Sequence, residues 1–362
     1  MTYKKYLSIL GSLILFYLIF HLTIWNFYSK TIFDLTPKES VGDLARLSYR
    51  TDMIHKRTLQ YTLKKSHLYK KNFKNQKLDL ITIGDSFSCG GGYGKNPYYQ
   101  DYLASKYNIN VLNVAPQNIA DFMEAAVNLH NNGFLKKHHV KYLLLESVVH
   151  LNLERFARQI DWNQNSKITI RDKTTNIYHQ NIKPVNVVNY KMLSAKIKHK
   201  LLNKNYTNGI YNFPLTKELF SLKKQSILIY YHGIETLPLY TQEHISLINQ
   251  NMNKLAKILK EDGVTLIFMP VVDKYDLYYP YLKENPYGKN LYFTFLRKEP
   301  KEYLLLDTKK ILEKQLTKDE KDLFYIDDTH WNYKASEAIS DALLFHEIFE
   351  NKVQRGKKLN AI

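Results

Sequence analysis

The stretch LDLITIGDSFSCGGG, residues 78–92, decides how the rest of the chain is read. Leu78 to Ile83 is a short apolar run of β-favouring residues, which predicts a strand. It ends abruptly in Gly84-Asp85-Ser86, so the strand would deliver a hydroxyl to the edge of a sheet, where a substrate can approach. Gly90, Gly91, Gly92 and Gly94 keep backbone bulk low just beyond it. Taken alone, Gly-Asp-Ser after a strand is more often a turn or a helix cap. A second stretch changes that balance: FYIDDTHWN, residues 324–332, brings Asp327, Asp328 and His330 just before a C-terminal helix. Ser86 as nucleophile, His330 as base and one of the two aspartates as its orienting acid make a candidate triad, which is defined by roles and geometry and not by chain order.

Working outward, the pattern alternates. Strand (78–83), helix (about 97–106), strand (109–114), helix (118–131) and strand (140–146) form a βαβ rhythm, which predicts an α/β fold with a parallel sheet covered by helices. The rhythm lapses over about 156–236, a polar stretch rich in Lys, Asn and Tyr that reads as an insertion with some helix and a hairpin, set to frame the site. It resumes with Ile245, Ile248, Met252, Leu255 and Leu259 on one helical face, a stop at Gly263, and a strand from Val264 to Met269. Tyr303 to Leu306 reads as the last strand, and Ala335, Ile339, Leu343 and Leu344 give the final helix its apolar side.

The twenty residues Tyr6 to Trp25 contain no Asp, Glu, Lys or Arg, about the length that crosses a bilayer core. Lys4 and Lys5 precede this run and Trp25 and Tyr28 flank its far end. The expected arrangement is a single-pass anchor in the cytoplasmic membrane, N-terminus inside and the rest of the chain extracytoplasmic, periplasmic or extracellular. A cleaved signal peptide fits less well, because the run is long and no small-x-small site follows. The division expected is an anchor at 1–28, a helical stalk or lid at 29–76 opened by Thr36-Pro37-Lys38-Glu39, a catalytic domain at 77–350 and a basic tail at 351–362.

Fifty-two Lys and Arg against 34 Asp and Glu give a formal charge of +18, which attracts anionic partners such as headgroups or acidic polymers. No nucleic-acid module is present in the sequence, and an outer location argues against one. The single Cys89 makes no internal disulfide and reads as a small packing residue. Some of the 29 tyrosines can stack on sugar rings, though most will be ordinary boundary packing.

Gly84-Asp85-Ser86 with Asp327/Asp328 and His330 resembles the SGNH (GDSL-type) hydrolase superfamily. The string Asp328-Thr329-His330-Trp331-Asn332 is similar to the branch of alginate O-acetyltransferase and related polysaccharide acetylation proteins. Leu143-Leu144-Leu145-Glu146-Ser147 through Arg155, and Pro270-Val271-Val272-Asp273-Lys274-Tyr275, resemble two further segments of that branch. The likeness covers roughly residues 75–155 and 240–350. It implies a three-layer α/β sandwich and an acyl-serine route in which the oxyanion is held by the amides of Ser86 and Ala115. Asn113, Trp331 and Arg155 are the other candidates for the substrate site. The superfamily's Gly-x-Asn-Asp block is absent, Leu145-Glu146-Ser147 standing there, so the third oxyanion donor is unassigned. The superfamily at large selects Asp327 as the acid and the acetyltransferase branch selects Asp328, which Trp331-Asn332 favour; the other aspartate would cap the helix starting near Asn332. The expected activity is O-acyl transfer, chiefly acetyl, to an anionic or neutral cell-surface glycan, with a multi-spanning membrane partner supplying the acyl group. No cofactor and no metal are called for.

Four other readings bear on the same residues. Gly90 to Asn96 departs from a phosphate-binding loop, with Cys89 at the first glycine position and Asn96 after the lysine. Adjacent His138 and His139 point to different faces and make a poor metal pair. An esterase, or a glycan-binding assembly protein on a degenerate SGNH fold, would share most of these features; in the binding protein Ser86 and His330 would lie too far apart to hydrogen-bond.

Overall fold

The computed structural model describes residues 2–33, 41–55, 57, 62–92, 94, 96–173, 183–201 and 206–350. The helix-start signal at 36–39 and the basic tail at 351–362 lie outside them. Strand β1 (Leu80–Ile83) is buried at every position, which requires cover on both faces. It pairs in parallel with β2 (Val111–Ala115) and β3 (Tyr142–Val148), with Leu80 opposite Val111 on one side and Tyr142 on the other. A short β4 (Thr169–Ile170) closes the outer edge of β2 antiparallel. Beyond a small second sheet of β5 (Tyr206–Thr207), β6 (Ile210–Pro214) and β7 (Ser226–Tyr230), the main sheet continues with β8 (Thr265–Val271) on β3 and β9 (Leu304–Leu305) on β8, both parallel.

The main sheet therefore runs β4-β2-β1-β3-β8-β9. Its five parallel strands, counted in chain order, stand 2-1-3-4-5, and the direction of winding reverses between β1 and β3. In such sheets ligands bind beyond the carboxyl ends of the strands at that reversal. Gly84-Asp85-Ser86 follows β1 there.

The helices agree with the periodicities. In Gln242–Lys260 the residues Ile245, Ile248, Met252, Leu255 and Leu259 are all buried, and Thr241 caps the start by accepting from the His244 amide (3.2 Å). Gly263 turns left-handed (φ +73°), so that the Val264 amide reaches the Leu259 carbonyl (3.1 Å) and β8 follows at once. The helix Tyr333–Ser340 is shorter than its apolar pattern: it breaks after Ser340, helical turns resume at Leu343–Phe345, and Leu343 is 71% exposed.

Residues 43–53 form a short helix (Asp43–Ser48) and a 3-10 turn (Thr51–Met53), and Leu44 and Met53 are buried in the main core. Residues 62–76 run on without helix, through a turn at 70–72, with Leu68 bridging Leu112 in parallel. The insertion supplies β4 to the sheet edge, the helix Val188–Leu201 and the β5–β7 sheet.

Among the described residues one helix is long and apolar enough to cross a membrane. It runs from Tyr3 to Phe33, with Leu7, Ile14, Phe16 and Ile19 exposed. Its last turns pack against Val188–Leu201 through Ile24, Ile32, Met192 and Ala195. The Asn189 amide also meets His21 Nδ1 at 2.9 Å.

Candidate active site

The turn after β1 is fixed by buried charge. Gly84 has room for no Cβ, because Ser88 Oγ and the Glu146 carboxyl occupy that space. Asp85 accepts from the Phe87 amide (3.1 Å), the Val148 amide (2.9 Å) and Arg155 Nη1 (2.6 Å). Against the cost of burial, Arg155 and these amides hold Asp85 below the ordinary carboxylate range. Glu146 Oε2 accepts from the Asp85 amide (2.9 Å) and from Ser88 N (3.2 Å) and Oγ (2.7 Å). Burial, and then Asp85, push Glu146 well above the usual carboxylate range. Arg155 is 1% exposed, donates to Ser147 Oγ (2.6 Å) as well as Asp85, and lies over the Phe122 ring at 4.1 Å. Its guanidinium borders the cleft but serves the turn.

Ser86 Oγ lies 2.7 Å from His330 Nε2, and His330 Nδ1 lies 2.6 Å from Asp328 Oδ1. Gly91 sits against the imidazole, where any Cβ would overlap the ring. Asp328 is 1% exposed, and its other oxygen accepts from Arg57 Nη2 (3.2 Å). Burial opposes the Asp328 charge, yet His330 and Arg57 outweigh it and keep the carboxylate ionised. Burial lowers the His330 pKa, and Asp328 more than reverses this, leaving it above its ordinary 6.5.

Asp327 faces elsewhere. Its Oδ2 accepts from the amides of Gly42 (3.0 Å) and His55 (3.1 Å) and from Arg57 Nη1 (2.6 Å). The expected helix cap is made instead by Asn332, which accepts from the Lys334 amide (2.8 Å). Asp327 thus ties the segment at 42–57 to the loop carrying Asp328 and His330.

Lys274 supports that loop from beneath. Its Nζ, within a residue 5% exposed, donates to the carbonyls of Tyr325 (2.7 Å), Ile326 (2.9 Å) and Asp328 (3.0 Å). Burial pushes its pKa down to about 7, against the pull of Asp327, Asp328 and Asp43. Asp43 accepts from the Thr329 amide (2.8 Å); burial and the nearby Asp328 raise it to about 6. Asp43, Asp328 and His330 bring ligand-type atoms close together. The Asp328 oxygens already serve His330 and Arg57, so a cation there would have to displace one of them. His138 is buried with Nδ1 3.3 Å from the Gln76 carbonyl, while His139 is exposed.

Ser86 and His330 open onto a cleft of about 660 Å³, a size that suits a small ligand. Ala115 and Asn113 are not on its wall. The Asn113 side chain is buried, donating to the Ser88 carbonyl (2.6 Å) and accepting from Thr82 Oγ1 (3.3 Å). Ala115 pairs with Thr169 in the β2–β4 ladder and faces a separate small cavity. Trp331 is 2% exposed, packed edge-on to Phe87 at 4.8 Å. The nearby wall holds Gln117, Asn118 and Arg171, whose Nη2 donates to the Gly84 carbonyl (2.5 Å). Cys89 is half-buried on the same wall, and burial pushes its thiol up to about 11.

Sequence reasoning assigned no role to Arg57, Asp43, Lys274 or His150. Lys274 alone stood within a singled-out motif, Pro270 to Tyr275. Compared with known proteins, the chain matches no family model and no curated protein.

Proposed function

We propose that this chain is an SGNH-type serine acyl-transfer enzyme: a membrane-anchored, extracytoplasmic O-acyltransferase that moves acyl groups, chiefly acetyl, onto hydroxyls of a cell-surface polysaccharide. The observation that carries the acyl chemistry is the continuous chain Ser86–His330–Asp328, at 2.7 and 2.6 Å, at the reversal point of a parallel sheet. The likeness of Asp328 to Asn332 to polysaccharide acetylation proteins supports the transferase branch, and the apolar N-terminal helix supports the anchor.

His330 Nε2 takes the Ser86 proton as Oγ attacks the acyl carbon of the donor, and returns it to the leaving oxygen, giving acyl-Ser86. The acceptor hydroxyl then gives its proton to the same nitrogen and attacks; Ser86 Oγ leaves and regains a proton from His330. Asp328 holds the imidazole tautomer and stabilises the imidazolium in both halves. The Ser86 amide is the nearest oxyanion donor, with Arg171 on the same wall as a further one. A transferase of this kind needs an acyl donor on the outer side, hence a multi-spanning partner.

The test is product mass spectrometry on the full chain in detergent with p-nitrophenyl acetate and a panel of anionic and neutral oligosaccharides. Acetylated sugar that disappears in Ser86→Ala and His330→Ala is expected. Acetate release without sugar product would replace the transferase with an esterase, and activity surviving in Ser86→Ala would sink the acyl-serine.

A further inference from the structure

A second imidazole–carboxylate pair lines the same cleft and takes no part in the steps above. His150 lies in the turn after β3 (Val149–Leu151), and Asp273 follows β8. These strands pair through Val148 and Val271, so both residues arrive at the carboxyl edge that also carries Ser86. His150 Nδ1 meets Asp273 Oδ1 at 2.5 Å. His232 stacks on the ring, centroids 6.0 Å apart and planes within 10°, so the imidazole is oriented along its edge and over its face. Asp273 is 5% exposed, and its Oδ2 has no hydrogen-bond partner among the described residues. A nearly buried carboxylate left half-satisfied is costly to a fold and returns nothing to it. His150 Nε2 likewise meets no partner among the described residues, and the side chain, 16% exposed, lines the open cleft.

We propose that His150, oriented by Asp273, is the acceptor-binding pole of the cleft, its Nε2 hydrogen-bonding an oxygen of the polyhydroxylated sugar that receives the acyl group. This rests on the reading of Ser86 as the acyl carrier. His150 is a binding and positioning group and not a second base: one proton moves from acceptor to Ser86 Oγ, and His330 both takes and returns it, leaving none for His150. Despite burial, Asp273 holds His150 above its ordinary pKa, which favours an N–H directed at the ligand. Tyr230, partly exposed, lines the same cleft and offers ring surface for a pyranose.

The experiment uses the full chain in detergent, p-nitrophenyl acetate as donor, and methyl β-D-glucopyranoside or chitotetraose as acceptor over a range of concentrations. His150→Phe keeps a ring for His232 but loses the hydrogen bond. The acceptor KM should rise about ten- to hundredfold, the worth of one hydrogen bond involving a charged group. The kcat at saturating acceptor should change far less, with partial recovery in His150→Gln. Asp273→Asn should shift KM in the same direction. An unmoved acceptor KM overturns the proposal, and so does a fall in kcat that tracks a lower melting temperature. Wild-type acetate release without transfer to either sugar also overturns it while leaving the acyl-serine intact, whereas no Ser86-dependent acetate release at all defeats the underlying reading.

Discussion

Replacing Lys274 by Met keeps the length of the side chain and removes its ammonium, leaving the carbonyls of Tyr325, Ile326 and Asp328 without their donor. Hydrogen bonds to a charged group contribute about 1.5–3 kcal/mol each, but three made by one nitrogen do not add, and burial of the charge opposes them. The loss expected on breaking such a buried charged cluster is about 3–5 kcal/mol. At about 2–4 °C per kcal/mol for a domain of 150–250 residues, the melting temperature falls by roughly 10 °C. Asp43, already raised to about 6 by burial and Asp328, would lose a neighbouring positive charge and rise further. The loop carrying Asp328 and His330 would lose its support, and a misplacement of about 1 Å costs on the order of a hundredfold in rate. Linkage gives a second signature. With Lys274 at about 7 folded and 10.5 unfolded, the unfolded chain binds the extra proton between these values. Lys274 therefore makes stability rise with pH across that window, and the Met variant should lack this contribution. The assays are melting by intrinsic fluorescence from pH 6 to 10 and Ser86-dependent acetate release. A Met variant melting within about 2 °C of wild type at full rate would refute the reasoning.

Two further expectations separate the neighbouring aspartates and fix the direction of the pH profile. Asp328→Asn should lower the acylation rate by roughly 10³–10⁴-fold, as expected for the orienting acid of a triad. Asp327→Asn should cost mainly stability, about 1–3 kcal/mol from its contacts to Arg57, Gly42 and His55; the reverse ranking in paired rate and melting measurements would transfer the acid role to Asp327. The working form of His330 is neutral and Asp328 raises its pKa, so acylation should be lost as pH falls through a value above 6.5. Asp328→Asn should move that limb to lower pH. The matching stability term has the opposite sense: the imidazolium–Asp328 attraction is fully present below 6.5 and is lost as pH rises through the folded value.

The parallel sheet was legible because β1, β2, β3 and β8 are short apolar runs separated by helical periodicity, and β1 ends in Gly-Asp-Ser. The pairing of Asp328 with His330 is local: two residues apart, the carboxylate also accepts from the His330 amide (3.0 Å), so the spacing itself encodes it. The pairing of Ala115 with Thr169 was not legible, because Thr169 comes from an insertion whose two-residue strand has no periodicity to read. Arg57 and Asp43 were invisible for a different reason. Their roles arise from contacts spanning some 270 to 286 residues of chain, and neither stands in a pattern. The hairpin expected in the insertion has a local signal that places its turn: Asn208-Gly209, both at positive φ, between Thr207 and Ile210.

The segment at 42–57 also changes what the N-terminal helix does. On one side it binds the triad loop: Gly42 and His55 donate to Asp327, and Arg57 reaches both aspartates. On the other it meets the helix Val188–Leu201, where Lys196 donates to Thr51 Oγ1 (2.6 Å) and His199 Nε2 lies 3.3 Å from the Ser48 carbonyl. That same helix grips the foot of the apolar helix through Asn189 and His21, with Phe20 stacked on Tyr190 at 5.0 Å. Two short elements therefore join the apolar helix to the acid of the triad by continuous packing. Removing residues before 29 would strip His21 and Ile24 from this contact and bare Met192 and Ala195, apolar surface otherwise buried. The foot of the apolar helix, from Phe20 to Phe33, is therefore packed against the elements that hold Asp327 and Asp328 in place.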